Sequence, residues 1–388
     1  MPLEVLKKWL LRHGTRNVRI VFGHVTRIGL CGMAIVLSPS WLAAAAHADD
    51  AGFAKPQQRV DIGNGQYLNL YCSGHGSPTV VFESGLSDWG FSWSSVQPFI
   101  SQRTRACVYD RAGLGYSDAA RRASTSSNMV DDLHHLLRAA HLAPPYLLVG
   151  HSLGGLNVRL YADRFRDEIV GMVLVDATHE DGIRRIDAQQ HGRETQRYAA
   201  EIRRAKDCLR KSQNTQPDER FRDDCIEPDD AHYSAQLNAS RVEIARRQSY
   251  QRAQLSETTS YANGTSFAEV RAARRWYGAL PLIVLTAAHT VDSIGPEWLS
   301  LQHELATLSR LGVQCTIAGS GHYIQRDQPQ AVIDAVESVL AAVRTLPPDE
   351  ANSPNAPTDT TGFDYTAQGD VAAASLPCPY PIVNLTPS

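Results

Sequence analysis

The sequence carries almost no net charge, few cysteines and no internal repeat, and each lack removes a class of protein. Over 388 residues the formal charge is −3, whereas a dedicated nucleic-acid binder shows a strong basic excess. Seven cysteines are too few to build a fold from disulfides. A chain that is 43% hydrophobic and 20% charged is not collagen-like, coiled-coil, wholly disordered or multi-span membrane. No Cys/His spacing suggests zinc and no glycine-rich loop suggests a phosphate cradle, so neither a metal nor an organic cofactor is expected. What remains is length enough for one large α/β domain or two ordinary ones.

Residues 1–27 hold six basic side chains and one acid, Glu4. An apolar run from Ile28 to Leu37 follows, then Pro39 and small residues ending Ala46-His47-Ala48. A positive start, a short apolar middle and a small-x-small exit read as a secretory signal over 1–48, and hence a periplasmic or secreted protein. The alternative is an uncleaved anchor through 28–46. Removing 1–48 leaves 32 basic and 40 acidic residues, a mature charge of −8.

From Val60 to Asp176, short apolar runs alternate with helical stretches. Gln66–Cys72, Thr79–Glu83, Arg105–Tyr109, Tyr146–Val149 and Ile169–Val175 read as strands, and Ser126–His141 has helical spacing. Strand–helix alternation predicts a mostly parallel sheet covered on both faces. Residues 181–275 differ: they are helix-prone and dense in charge, with 18 basic and 15 acidic side chains. Strand character returns at Leu280–Thr286 and Gln314–Ala318, with helices over Trp298–Leu311 and Ala331–Val343. The chain thus divides into a core of 49–180 and 276–346, an insertion at 181–275, and an irregular tail at 347–388 rich in Pro, Thr, Asp, Ala and Ser.

The chemistry centres on Gly150-His151-Ser152-Leu153-Gly154-Gly155, between an apolar strand and a helical stretch. G-x-S-x-G in that setting is a nucleophile elbow, a turn so tight that glycines must flank the serine. It presents the Ser152 hydroxyl and points the Leu153 N–H toward a substrate oxyanion. With these residues in view, the chain resembles the α/β-hydrolase fold family from about Val60 to Leu346. Asp110-Arg111-Ala112-Gly113-Leu114-Gly115 is similar to the family's loop after the fourth strand, which the resemblance makes architectural. Glu83-Ser84-Gly85-Leu86 stands where relatives carry His-Gly, and the resemblance makes the Leu86 N–H the second oxyanion donor.

A serine hydroxyl needs a base. His322, in Ser320-Gly321-His322-Tyr323, follows the last strand, where the family places it. His151, beside the serine, is read as a packing residue that points away. A carboxylate must orient the base, and two are candidates: Asp176, ending the strand after the elbow helix, and Asp292, after Leu280–Thr286, the commoner family position. The cysteines left after cleavage at Ala48 are six. Family strand order sets Cys72 beside Cys107. Cys208 and Cys225 close a local loop in the insertion, and Cys315 is left with Cys378.

The expectation is a secreted serine hydrolase cleaving a small-molecule carboxylic ester. An amidase or aminopeptidase of the same fold is the alternative, and a non-catalytic binding module on that scaffold is the third reading. Residues 181–275 are expected to form a helical lid whose apolar lining selects the substrate. No nucleic-acid partner is expected, and no stable membrane insertion once the signal is cleaved.

Overall fold

A computed structural model describes residues 50–213, 219–345 and Cys378. The expected signal at 1–48, its alternative as an anchor at 28–46, and the expected tail apart from Cys378 lie outside the described residues. The strands are β1 (Gln58–Asp61), β2 (Tyr67–Ser73), β3 (Thr79–Glu83), β4 (Ala106–Tyr109), β5 (Tyr146–His151), β6 (Ile169–Val175), β7 (Leu282–Ala287) and β8 (Gly312–Ile317). They form one sheet in the order β1-β2-β4-β3-β5-β6-β7-β8. Only β2 runs against its neighbours β1 and β4; the other pairs are parallel.

The α-helices longer than four residues are α1 (Ser126–Ala139) and α2 (Leu153–Arg164), then α3 (Gly182–Gln190), α4 (Arg193–Lys211), α5 (Glu219–Cys225), α6 (Ala235–Ala245), α7 (Gln248–Ala262) and α8 (Thr265–Ala273) between β6 and β7, and finally α9 (Ala288–Ile294), α10 (Pro296–Ala306) and α11 (Pro329–Thr345). Parallel strands buried on both faces read as unbroken apolar runs, and alternate residues feed two cores. Val80, Phe82, Val173 and Val175 pack with α11, through Val332, Val336 and Val339. Val81, Met172 and Leu174 pack on the other face with α1 and α2, through Leu133, Leu137, Leu156 and Leu160. Of the insertion, α8 lies against α1 and α2. A buried ion pair between Arg159 and Glu180 at 2.8 Å, with Arg274 at 3.1 Å, ties the two ends of the insertion to α2.

The structure differs from expectation at several element boundaries, among them an edge strand, a helix and a core strand. Strand β1 was not anticipated, because Val60 is its one buried residue and the strand lies at the sheet edge. The helix expected over Trp298–Leu311 starts at Pro296 and ends at Ala306. Proline suits the first turn of a helix, where its missing N–H has no partner to lose, and the remaining residues form turns that bury Leu308 and Leu311. Strand β7 begins at Leu282, two residues later than read. Disulfides join Cys72 to Cys107, Cys208 to Cys225 and Cys315 to Cys378. The first links register partners of β2 and β4. Among the described residues no helix is long and apolar enough to cross a membrane, and no cluster of side chains suits a metal ion.

Candidate active site

Strand β5 ends at His151 and α2 begins at Leu153, so Ser152 alone makes the turn. It does so in the left-handed region, with φ of 52°. An L-residue sits there only if its surroundings hold it. The Ser152 N–H donates to Val175 O at 3.2 Å, and its carbonyl accepts from Gly155 and Thr178 at 2.9 and 3.0 Å. The flanking glycines are demanded by close approach: a Cβ on Gly150 would lie 2.5 Å from the Gly154 carbonyl oxygen, and one on Gly154 would collide with that of Glu83. Leu153, at the first position of α2, has an N–H with no partner inside the helix. The Leu86 N–H donates to no protein acceptor among the described residues.

His322 follows β8, and its Nδ1–H donates to Asp176 Oδ2 at 2.7 Å. That direction assigns the tautomer, leaving Nε2 as the basic nitrogen. Asp176 is fully buried just past β6, also with a positive φ, of 41°. Its carboxylate further accepts from the Thr290 hydroxyl at 2.7 Å, the Trp298 indole N–H at 2.9 Å and the Ala287 N–H at 3.0 Å. Four donors hold the charge of a buried group that solvent cannot reach. Asp292, the other candidate, is exposed on α9 and makes no ion pair with His322 among the described residues. Ser152 and His322 line one cavity. No hydrogen bond joins the hydroxyl to the ring among the described residues, and such bonds are often long before a substrate arrives.

His151 is buried beneath these groups. Its Nε2–H donates to the His322 carbonyl at 2.9 Å, and its ring lies 4.7 Å from that of His322 and 4.9 Å from that of Tyr323. A Cβ on Gly85 would stand 2.8 Å from its Nδ1. One imidazole therefore touches the elbow, the base loop and the loop after β3. Burial, then the neighbouring His322, holds its pKa well below the ordinary value, so it stays neutral.

Arg111 shows what the loop after β4 does. Its guanidinium is buried and donates to Glu83 Oε1 at 3.0 Å and to the carbonyls of Ser84 at 2.7 Å, Gly85 at 2.6 Å and Asp88 at 3.3 Å. Its Nε donates to Glu257 Oε1 on α7 at 2.7 Å, while Glu257 Oε2 accepts the Ser87 N–H at 2.7 Å. Arg111 thus fixes the backbone around Leu86 and pins it to an inserted helix. Burial pushes the Glu83 carboxyl up despite Arg111, and it lifts Asp110, which caps the Gly90 and Tyr116 N–H groups, to about 6. Glu257 was not found from the sequence, where it carries no motif signal.

The cavity over Ser152 has a volume of about 740 Å³. The expected apolar lining is only part of what is found: Ile183, Ile186 and Ala245 of the insertion line the cavity, but so do Arg193, Glu194, Arg197, Glu201 and Arg204 of α4, along with Asp88, Glu227 and Arg241. Arg197 is paired with Glu194 at 2.6 Å and Glu201 at 2.8 Å, and the Arg204 Nε donates to the Asp224 carbonyl at 2.7 Å, so this wall is polar and its groups are partnered locally. The insertion contributes charge here because the helix faces that read as solvated in the sequence turn inward over the site.

With this geometry in hand, comparison with known proteins is informative. The Bacillus subtilis uncharacterized protein YqjL is 25% identical over 271 residues, which cover 69% of this chain and 86% of that protein. The Schizosaccharomyces pombe uncharacterized protein C23C11.06c is 38% identical over 110 residues, which cover 28% of this chain and 20% of that protein. A thermophilic esterase from Thermogutta terrifontis superposes with a TM-score of 0.50 at 20% identity, over 74% of this chain and 100% of that one, a likeness of fold alone. The model of the alpha/beta hydrolase fold matches residues 78–290, more than half of the sequence. Together with the eight-stranded sheet and the serine elbow, that match settles the family: the chain belongs to the alpha/beta hydrolase fold family.

Proposed function

We propose that the protein is a serine hydrolase that cleaves a carboxylic ester through an acyl-enzyme. The observation that carries the reading is the 2.7 Å bond from His322 to the buried Asp176, at the cavity that Ser152 enters from a left-handed turn. Ser152 Oγ adds to the carbonyl carbon as its proton passes to His322 Nε2. Asp176 keeps Nδ1 protonated and stabilises the imidazolium. The N–H groups of Leu86 and Leu153 receive the oxyanion. Collapse breaks the ester C–O bond, and His322 returns the proton to the departing alcohol. Water then adds to the acyl-enzyme by the same route, releasing the acid and restoring Ser152.

A serine at position 152 separates this chain from family branches that use an aspartate nucleophile. Residues 181–275 act as the lid, since α4 and α7 supply walls of the cavity. The alternative, an amidase or aminopeptidase of the same fold, uses the same Ser152, His322 and Asp176 with an amine as the leaving group. Export is supported by three disulfides, which persist in oxidising compartments.

The test is labelling of the mature protein with a fluorophosphonate, followed by assays on p-nitrophenyl esters and amino-acid anilides. Labelling that disappears in Ser152→Ala with ester turnover in the wild type is the expected result. No labelling at all overturns the enzymatic reading in favour of a binding module. Anilide turnover without ester turnover transfers it to the amidase.

A further inference from the structure

The cavity contains a carboxyl group that acyl transfer does not use. Asp88 lies two residues beyond Leu86, with its backbone fixed on both sides. Its N–H donates to Gly85 O at 3.2 Å, and its carbonyl accepts from Arg111 at 3.3 Å. Its half-buried side chain lines the cavity with Ser152 and His322, and Oδ2 is buried with no hydrogen-bond partner. A carboxylate oxygen left without a hydrogen bond costs free energy until a donor or a cation reaches it.

The surrounding charges leave that oxygen without a cation of its own. Arg111 is already shared between Glu83 and Glu257. Arg241 faces Glu227 at 3.6 Å, donates to Asn238 Oδ1 at 2.8 Å, and lies over the rings of Phe91 and Tyr233 at 5.2 and 5.3 Å. Over the whole lining the charges balance, with Asp88, Glu194, Glu201 and Glu227 against Arg193, Arg197, Arg204 and Arg241, and the two cations near Asp88 are held by other partners. The lining beside Asp88 is aromatic: Trp89, Phe91, Tyr250 and Tyr323, with Trp89 4.4 Å from Phe91 and 5.8 Å from Tyr250 between ring centres. Aromatic faces around a carboxylate attract an organic cation and reject an anion. Burial, then the Glu227 charge, pushes Asp88 up to about 7, while Arg111, Arg241 and the Tyr323 hydroxyl pull the other way.

We propose that Asp88 is a specificity-determining residue that receives an ammonium group on the substrate, so that the preferred substrates are esters with a positively charged nitrogen near the scissile carbonyl. This rests on the reading of Ser152 as nucleophile, and it goes further by naming the substrate class.

Two p-nitrophenyl esters of equal shape test it: the 4-(trimethylammonio)butyrate, whose charge is fixed, and its neutral isostere, the 5,5-dimethylhexanoate. The expected ratio of kcat/KM, cationic over neutral, is about tenfold or more in the wild type. It should fall to one or below in Asp88→Asn and return in Asp88→Glu. A wild-type ratio of one, or a preference that survives in Asp88→Asn, overturns the proposal. Calorimetric titration with butyltrimethylammonium ion, in Ser152→Ala and in Ser152→Ala with Asp88→Asn, separates this from the hydrolase reading. Binding by the first protein and none by the second supports the subsite whether or not any ester turns over, and no binding by either overturns it.

Discussion

The Arg111 guanidinium joins Glu83 of the sheet, at 3.0 Å, to Glu257 of an inserted helix, at 2.7 Å, with all three groups out of solvent. It is a buried bridge between the strand preceding the candidate oxyanion loop and the helices that roof the cavity. Removing one partner of a buried pair strands the other charge, at a cost of about 3–5 kcal/mol. Glu257→Gln is therefore expected to lose about 3 kcal/mol in urea unfolding. It should also slow fluorophosphonate labelling, because the Ser87 N–H loses its anchor at Glu257. Unchanged labelling would show that Leu86 is held without the roof.

Asp176 and Asp292 are expected to separate cleanly. Asp176→Asn should lower kcat by about 10⁴-fold, the scale on which loss of an orienting carboxylate is felt. Asp292→Asn should leave it within a factor of about two, as exposed substitutions away from a site do little. Steady-state ester hydrolysis reads both, and equal small losses would remove Asp176 from the mechanism.

His151 is expected to act on turnover through position alone. His151→Phe deletes the donor to the His322 carbonyl. A net hydrogen bond of about 1 kcal/mol implies a fall in kcat of about fivefold with KM little changed. His151→Gln keeps a donor and should recover part of it. Equal losses in the two variants would assign the ring to packing only.

A pH effect on stability is expected at His179. Burial pulls this imidazole down to about 4, with Arg159 and Arg274 adding to burial against the opposing charges of Glu180 and Asp181. Glu304 lies 3.6 Å from Nε2. The folded pKa is below the unfolded one, so the unfolded chain binds a proton that the folded chain refuses. Stability is thus intact above about 6.5 and is lost as the pH falls toward 4. Relative to His179→Gln, the wild type should lose about 2 kcal/mol between pH 7.5 and 5 in urea titrations. Parallel profiles would show that His179 titrates alike in both states.

Much of this could be read from the residues, for definite reasons. Thr79–Glu83 and Ile169–Val175 are buried on both sides, so their strands appear as continuous apolar runs. Edge strand β1, with one buried side chain, leaves no such trace. The elbow is visible because its close backbone contacts require glycine at 150 and 154. The choice between Asp176 and Asp292 was not available from spacing, since both follow strands. It depends on Ala287, Thr290 and Trp298, which reach Asp176 only because β6 and β7 are neighbours. Asp88 and Glu257 carry no pattern at all, because their environment is made by residues distant in sequence.

Ser152 closes β5 and Asp176 closes β6, with α2 between them. A single strand–helix–strand unit therefore carries two of the three proposed reacting groups, complete before the first inserted helix begins. The segment between β7 and β8 supports the acid through Thr290 and Trp298 but supplies none of the three. Exchange of residues 182–245, which leaves Glu257 on α7 holding Arg111 and the Ser87 N–H, is expected to reshape the wall of the cavity while Ser152, Asp176 and His322 stay in place.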